Sequence, residues 1–163
     1  WQCAAALAAE GRRTVVAPVA APEALASLTA ETMLPQLLQQ HKDGWAFYLH
    51  FTKNVPDGMV SVCHKTGKIG CLFVTEASRG KGIGAKMLDF ARKKLPEHTN
   101  PTLTVLNTNT RAIALYKRMG WVPAGTEAVY DPAKDAFCAV YCEELRMCYR
   151  PPVDSFVSAD QQC

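Results

Sequence analysis

Apolar residues recur along this chain with two different periods, and the period changes from segment to segment. Between residues 45 and 52 every second side chain is large and apolar, which is the period of a strand with one buried face. Between residues 83 and 95 apolar side chains follow one another at steps of four, with charged residues among them, which is the period of an amphipathic helix. Pro96 is expected to end that helix. The pattern therefore predicts both strands and helices.

The same criteria, together with turn and capping residues, divide most of the chain into elements. Strands are predicted over residues 13–20, 44–54, 59–65, 68–75, 102–106, 121–129 and 137–142. Helices are predicted to start at Pro22, after Pro35, near Ile83, and at Thr108 or Asn109. The segment NVPDG, at 54–58, predicts a turn.

The order of these elements predicts an α/β (α+β) fold with a mixed, mostly antiparallel sheet flanked by helices. The strands between residues 44 and 75 follow one another through short turns, which favours an antiparallel meander. A helix then separates the strand at 68–75 from the strand at 102–106. These two strands should be parallel neighbours joined by a right-handed crossover.

The composition narrows the class of protein. With 163 residues, 48% of them hydrophobic and 20% charged, the chain fits one globular domain, with a core at about 13–147 and a tail at 148–163. A net charge of +3 is too small to indicate nucleic-acid binding. No apolar run reaches the roughly 20 residues of a membrane-spanning helix. The opening stretch WQCAAALAAEGRR carries its charges after its apolar part, unlike a secretory signal peptide.

The cysteines indicate a reducing environment. There are seven, an odd number, and no pair has the C-x-x-C spacing of a zinc ribbon. Cys63, Cys71, Cys138 and Cys142 fall on predicted strands, where a free cysteine packs as a small hydrophobic residue. We therefore expect reduced thiols, no metal, and an intracellular location, cytoplasmic or nuclear.

Residues 79–85 read RGKGIGA and place three glycines between a predicted strand and a predicted helix. The N-terminus of a helix presents unpaired backbone N–H groups, and glycine lets a ligand approach them without a Cβ atom in the way. The arrangement favours a bound phosphate or pyrophosphate. A simple tight turn would need only one of these glycines.

Two familiar phosphate loops fit these residues poorly. A Walker loop has Ser or Thr after its lysine, but Lys81 is followed by Gly82. Gly80, Gly82 and Ala85 match the G-x-G-x-x-A of a dinucleotide fold, which also needs an acidic residue about 20 positions later and further βαβ units. No Asp or Glu lies between residues 97 and 127, and only one βαβ unit is predicted.

The stretch from residue 68 to 121 resembles the GNAT superfamily of acetyl-CoA-dependent N-acetyltransferases. The signature of that family is [RQ]-x-x-G-x-[GA] after a strand, followed by V-x-x-x-N-x-x-A-x-x-L-Y-x-x-x-G-[FW]. The matching residues are Arg79, Gly82 and Gly84, then Val105, Asn109, Ala112, Leu115, Tyr116, Gly120 and Trp121. The order of elements is similar to the family's over roughly 13–147.

The resemblance implies a site for acetyl-CoA as cosubstrate, between two central parallel strands that splay apart. The pantetheine arm would pair with the backbone of Leu72, Phe73 and Val74, and the Asn109 side chain would hold it. The pyrophosphate would lie on the backbone amides of the loop. The loop residues concerned are Arg79, Gly80, Lys81, Gly82, Ile83 and Gly84.

The resemblance also implies direct transfer of the acetyl group to an amine, without an acyl-enzyme. Tyr116 would act as the general acid toward the departing thiolate, and the N–H near Val74 would polarise the thioester carbonyl. A base is needed too, because an ammonium has no lone pair. The glutamate that histone-acetylating relatives carry early on the strand before the loop is absent from residues 67–70. The open candidates for the base are Glu76, His64, His50, Glu143 and Glu144, and a chain of water molecules that leads to a more distant base is an equal alternative, so the base stays unassigned.

The expected acceptor is a primary amine, with a protein or peptide amine slightly favoured over a small-molecule amine, and no nucleic-acid or membrane partner is expected. Four acidic residues near the last predicted turn would attract a cationic amine, although solvated turn charges explain them equally well. These residues are Asp131, Asp135, Glu143 and Glu144. Two alternatives are a non-catalytic acyl-CoA-binding module on the same fold, and a nucleotide-binding regulatory domain that shares only the glycine loop.

Overall fold

A computed structural model describes residues 1–134, 139–140 and 142–150, which form helices α1 to α5, strands β1 to β6 and one short 3-10 helix. The helices are α1 (Gln2–Val16), α2 (Pro22–Ala26), α3 (Ala30–Lys42), α4 (Ile83–Lys94) and α5 (Thr110–Arg118). The strands are β1 (Trp45–Thr52), β2 (Val55–Cys63), β3 (Lys68–Val74), β4 (Thr102–Leu106), β5 (Trp121–Tyr130) and β6 (Cys142–Tyr149). The 3-10 helix covers Glu76–Ser78. In this described part, no helix is long and apolar enough to cross a membrane.

The strands form a single sheet in the order β1-β2-β3-β4-β6-β5. Neighbouring strands are antiparallel except for β3 and β4, which are parallel. Helices α4 and α5 pack on one face of the sheet, and helices α1 and α3 pack on the other. The predicted fold class, a mostly antiparallel sheet with a central parallel pair flanked by helices, is confirmed.

The two parallel strands touch at one end only. They are paired at Lys68 with Thr102 and at Ile69 with Leu103, and no further. The remaining residues of β3, 70–74, have β2 on one side and, within the described part of the chain, no strand partner on the side of β4. The sheet is therefore open along its centre, and the opening forms a cleft that reaches both faces.

An irregularity in β3 accompanies this separation. Met59 of β2 pairs with Phe73, but Ser61 pairs with Gly70, so β3 uses one residue more than β2 over the same length. Such a bulge bends a strand and increases its twist. Within it Cys71 has a φ of +48°, in the left-handed region that only glycine adopts without cost.

The N-terminal region differs most from the prediction. The strand predicted at 13–20 is wrong, because residues 2–16 form α1 and Ala20 alone makes an isolated bridge. Alanine has the highest helix propensity, and the alanine-rich run extends the helix as far as the β-branched residues. Gly11 allows the helix to approach the sheet closely, since a Cβ atom there would lie 2.7 Å from the Phe73 ring. The buried face of α1 consists of Ala4, Ala5, Leu7, Ala8, Ala9 and Gly11.

Helix α3 begins earlier than the prediction placed it. It starts at Ala30 rather than after Pro35, which lies inside it. The reason is a reciprocal capping box, in which the side chains of Thr29 and Thr32 each accept a hydrogen bond from the other residue's backbone N–H.

The first hairpin turn is also displaced. Residues 54–58 were the predicted turn, but the chain reverses at Lys53 and Asn54, which have φ values of +51° and +64°, and β2 already begins at Val55. A two-residue turn with positive φ at both positions matches the twist of a hairpin.

The last strand lies further along the chain than predicted. It covers Cys142–Tyr149 and not 137–142, and it pairs with both β4 and β5. Its buried Met147 and half-buried Leu145 pack into the core beside α4. Residues 148 and 149, expected to begin a tail, therefore belong to the sheet. Asp135, Phe137 and Cys138 lie outside the described residues, and so does the rest of the predicted tail, at 151–163.

Candidate active site

The glycine loop lies where β3 passes through the 3-10 helix into α4. Gly80 and Gly82 both have a φ of +78°, and Gly82 is the N-cap of α4. A Cβ atom on either glycine would meet no atom within 4 Å. Among the residues that the structure describes, neither a side-chain cap nor an acidic residue in the first turn satisfies the N–H groups at the start of α4. These groups and the partial positive charge of the helix end are free to hold an anion.

The two cations of the loop are folded back onto its own backbone. Arg79 Nε donates a hydrogen bond of 3.0 Å to the carbonyl oxygen of Val74, and its guanidinium lies 5.7 Å from the centre of the Phe73 ring. Lys81 Nζ donates to the carbonyl oxygen of Ala77 at 2.9 Å. Arg79 thereby fixes the loop to the end of β3 and occupies one backbone group of the strand that is predicted to pair with pantetheine.

The cleft between β3 and β4 contains a cavity of about 480 Å³, a size typical of small-molecule sites. Four of the predicted site residues line it, namely Leu72, Phe73, Asn109 and Tyr116. Its other walls come from α1 and α3 on one face and from β4 and the last two strands on the other side. The cavity thus joins the splayed strands to the helix that carries the asparagine and the tyrosine.

The loop residues 79–84 do not line this cavity, but they lie beside its end. A Cβ atom on Gly84 would be 3.4 Å from Leu115 and 3.9 Å from Val74, so the first turn of α4 sits between the end of β3 and helix α5. The structure therefore brings Leu72, Phe73, Asn109 and Tyr116 together in one cavity, while Val74 and the predicted pyrophosphate loop lie at its margin.

Asn109 is the N-cap of α5. Its Oδ1 accepts a hydrogen bond of 3.2 Å from the backbone N–H of Ala112. The capping bond fixes the side chain at the wall of the cavity, and the amide NH₂ retains its two donors. The capping role and a contact with a ligand are therefore compatible.

Tyr116 lies deep in the cavity wall, with 7% of its surface exposed. Burial raises the pKa of Tyr116 to about 12. The hydroxyl therefore keeps its proton at neutral pH and is available as a hydrogen-bond donor.

Cys71 is an exposed residue that also lines this cavity. Desolvation by the surrounding protein raises the pKa of its thiol, although Ser61 and the charge of Arg12 act in the opposite direction. Since the thiolate is the reactive form, a raised pKa makes this cysteine a poor nucleophile at neutral pH.

The candidates for the base occupy very different places. Glu144, on β6, lines the cavity together with Asn109 and Tyr116, and its Oε2 accepts a hydrogen bond of 3.3 Å from the Tyr130 hydroxyl. His64 and Glu76 are exposed on the surface and do not line the cavity. Glu143 is absent from the cavity lining as well.

His50, the fifth candidate, belongs to a separate pair at the far side of β3. The β1–β2 register shifts after His50, which leaves Asp57 as an extra residue on β2, and His50 Nδ1 lies 2.6 Å from Asp57 Oδ1. Burial opposes ionisation of Asp57, but His50, Thr52 and Ser78 together lower its pKa to about 2. The hydroxyls of Thr52 and Ser78 do not form well-aligned hydrogen bonds with the Asp57 carboxylate. Asp57 is 4% exposed, and its Oδ2 has no hydrogen-bond partner among the described residues.

Several residues that line the cavity carry no sequence signal for a site. Arg12 on α1 and Gln36 and Gln40 on α3 face the cavity, and Arg12 Nη1 donates a hydrogen bond of 3.4 Å to Gln36 Oε1. Arg12 lies on α1, where the β-branched run predicted a strand instead of a helix. Gln36 and Gln40 lie on α3, whose start the prediction placed after Pro35. Among the described residues, no group of three His, Cys, Asp or Glu side chains is arranged to hold a metal ion.

The family model described as "Acetyltransferase (GNAT) domain" matches residues 16–132. This is well over half of the 163 residues, and the chain belongs to the GNAT acetyltransferase family. The family resemblance carried by the residues around the glycine loop, Asn109 and Tyr116 is therefore confirmed. Members of this family in general transfer acetyl groups from acetyl-CoA to amines.

Solved structures show the same fold at low sequence identity. RimL, a ribosomal L7/L12 alpha-N-protein acetyltransferase in complex with coenzyme A, has a TM-score of 0.57 and 16% identity, over 88% of this chain and 84% of that one. An acetyltransferase from Bacillus anthracis in complex with acetyl coenzyme A has a TM-score of 0.55 and 16% identity, over 66% and 62%. A spermidine N-acetyltransferase SpeG chimera from Vibrio cholerae and hSSAT has a TM-score of 0.54 and 18% identity, over 71% and 74%. A search of curated protein sequences finds no match.

Proposed function

We propose that this protein transfers the acetyl group of acetyl-CoA directly to a primary amine. The observation that carries the proposal is the cavity between the splayed strands, where Asn109 and Tyr116 lie beside an open, glycine-capped helix N-terminus. Membership of the GNAT family supplies the reaction class.

Acetyl-CoA would lie along β3. The N–H groups at the start of α4, around Gly82 to Gly84, would hold the pyrophosphate, and Lys81 is exposed and close enough in the chain to add charge. The pantetheine arm would run past Leu72 and Phe73 toward Asn109. No metal is required by this chemistry.

The acetyl group would move to the amine in one displacement. The amine nitrogen attacks the thioester carbonyl carbon, the oxygen charge is stabilised by the backbone N–H near Val74, and the C–S bond then breaks. Tyr116 donates a hydrogen bond to the departing thiolate, and the raised pKa that keeps the Cys71 thiol protonated argues against a covalent acetyl-cysteine intermediate.

A protein or peptide amine is the favoured acceptor. Glu144 is the one carboxylate on the described lining of the cavity, and it is accompanied by the cationic Arg12. A polyamine with several positive charges would find little complementarity there. The RimL neighbour acts on a protein α-amine, whereas the SpeG chimera is a spermidine acetyltransferase; a small monoamine is the second candidate.

Two measurements test the proposal. A thermal-shift panel with acetyl-CoA, CoA, ATP and NAD should show a raised melting temperature with the two CoA compounds only, because a ligand that binds the folded state stabilises it by mass action. Release of free CoA thiol should then follow the addition of a peptide library with free α-amines or lysines, or of single small amines. Stabilisation by ATP or NAD alone would overturn acetyl-CoA as the ligand. Binding of acetyl-CoA without transfer to any amine would favour the non-catalytic module.

A further inference from the structure

Among the candidates for the base, Glu144 combines a carboxylate with a place in the cavity. It pairs with Leu106 at the end of β4, and the chain runs from there through two residues to Asn109 and then to Tyr116. The same cavity is lined by all three side chains. The pairing of β6 with β4 thus places the Glu144 carboxylate in one wall of the cavity. The chain that continues from β4 into α5 places Tyr116, the proposed general acid, in another wall.

The carboxylate of Glu144 is held by a neighbour. The Tyr130 hydroxyl on β5 donates to Oε2 at 3.3 Å, and Tyr130 also lines the cavity. A hydrogen bond to one oxygen fixes the rotamer and leaves the other oxygen, Oε1, to accept a proton from a ligand. Both residues are half-buried, so the pair remains accessible from the cavity.

From this arrangement we infer that Glu144 is the general base of the acetyl transfer and that Tyr130 is its positioning residue. The inference rests on the proposed function. Glu144 would also attract the positively charged amine into the cavity, which otherwise contains the cationic Arg12.

The proton balance is as follows. The substrate ammonium gives one proton to Glu144 and gains its lone pair, and the N–C bond forms as the nitrogen attacks the carbonyl carbon. Collapse of the tetrahedral intermediate breaks the C–S bond, and the thiolate gains the second nitrogen proton with help from the Tyr116 hydroxyl. The products are the amide and the free CoA thiol, and Glu144 releases its proton to solvent.

The experiment compares Glu144→Gln with Glu143→Gln, which removes the same charge from the adjacent residue that does not line the cavity. Acetyl-CoA binding by calorimetry, melting temperature, and the pH profile of kcat/KM for the amine are measured for both. Glu144→Gln should lose about 10²- to 10⁴-fold in kcat/KM, with its acetyl-CoA affinity and melting temperature unchanged. Its activity should recover as the pH rises and the amine loses its proton unaided. Glu143→Gln should behave as the wild type.

A second variant tests the positioning residue. Tyr130→Phe removes the donor to Glu144 Oε2. It should lower kcat/KM for the amine in the otherwise wild-type protein, cause no further loss in the Glu144→Gln background, and keep the melting temperature. Wild-type activity in Glu144→Gln, or an equal loss in both glutamate variants, would overturn the assignment of the base and leave the proposed function intact. A wild type that transfers no acetyl group to any amine would overturn the proposed function, and the base with it.

Discussion

Tyr116 keeps its proton at neutral pH, because burial raises its pKa to about 12. Complete proton transfer from such a weak acid to a thiolate, whose ordinary pKa is about 8.5, is unfavourable. Its contribution would come from a hydrogen bond to the developing thiolate charge. The asparagine and the tyrosine were both recognisable in the sequence, because the spacing of seven residues between them belongs to a family motif.

Replacing Tyr116 with Phe keeps the ring and removes the donor. We expect turnover to fall by about 10²-fold, the low end of the range for acid–base catalysis, while acetyl-CoA affinity and melting temperature change little. Steady-state kinetics at saturating acetyl-CoA, beside a melting curve, measure this. Since Tyr116 does not titrate below pH 10, any alkaline decline of the wild type in that range should persist in the variant. Full turnover in the variant would assign the residue to packing alone.

Cys71 should be dispensable for the chemistry. Its thiol faces the cavity, but its raised pKa keeps it protonated, so Cys71→Ser should retain acetyl transfer within a fewfold of the wild type. Mass spectrometry of the protein after mixing with acetyl-CoA checks for an adduct. An acetylated Cys71 together with an inactive but folded serine variant would establish a covalent intermediate instead.

At the scale of elements, the glycine loop depends on backbone geometry more than on side chains. Gly82→Val should abolish acetyl-CoA binding, because the new side chain would occupy the space in front of the N–H groups of α4 and a left-handed β-branched residue costs about 1–2 kcal/mol. The control is Gly125→Val in β5, at a φ of +117° with only Arg146 near its Cβ. It should lose comparable stability and keep normal affinity in calorimetry. Unchanged affinity in a folded Gly82→Val protein would remove this loop from the site.

Elements were predictable where one signal dominated. In α4 the apolar residues follow one another at steps of four and a proline follows the helix, and in β1 every second side chain is large and apolar over the full length of the strand. Helix α1 was missed because Val15 and Val16 are β-branched, although the alanines before them extend the helix and its buried face contacts β3. Arg12 and Gln36 were therefore absent from the predicted site. The sequence alone could not distinguish Glu144 from Glu143 as a candidate base, because only the register of β6 shows which of the two lines the cavity.

At the scale of the whole molecule, the pair formed by the half-buried His50 and the buried Asp57 makes the free energy of unfolding depend on pH. The folded pKa of Asp57 is about 2, below its ordinary value of 3.8, so its stabilising contribution is present above the unfolded pKa and is lost as the pH falls from about 4 through 2. Urea unfolding at several pH values should show this loss in the wild type and not in Asp57→Asn. Asp43→Asn, at an exposed position, is the charge-matched control. Equal acid sensitivity of Asp57→Asn and the wild type would contradict the prediction.

The short contact between β3 and β4 has a consequence for the motions of the sheet. Among the described residues, only two strand pairings connect the half of the sheet made of β1, β2 and β3 to the half made of β4, β6 and β5. The unliganded sheet is therefore expected to open along this line at a lower free energy than it unfolds globally. Hydrogen–deuterium exchange read by mass spectrometry should therefore be fast at 70–74 and 104–106. Bound acetyl-CoA, lying between the two halves, should slow exchange there far more than in β1 or β2, acting as the strand that the sheet lacks.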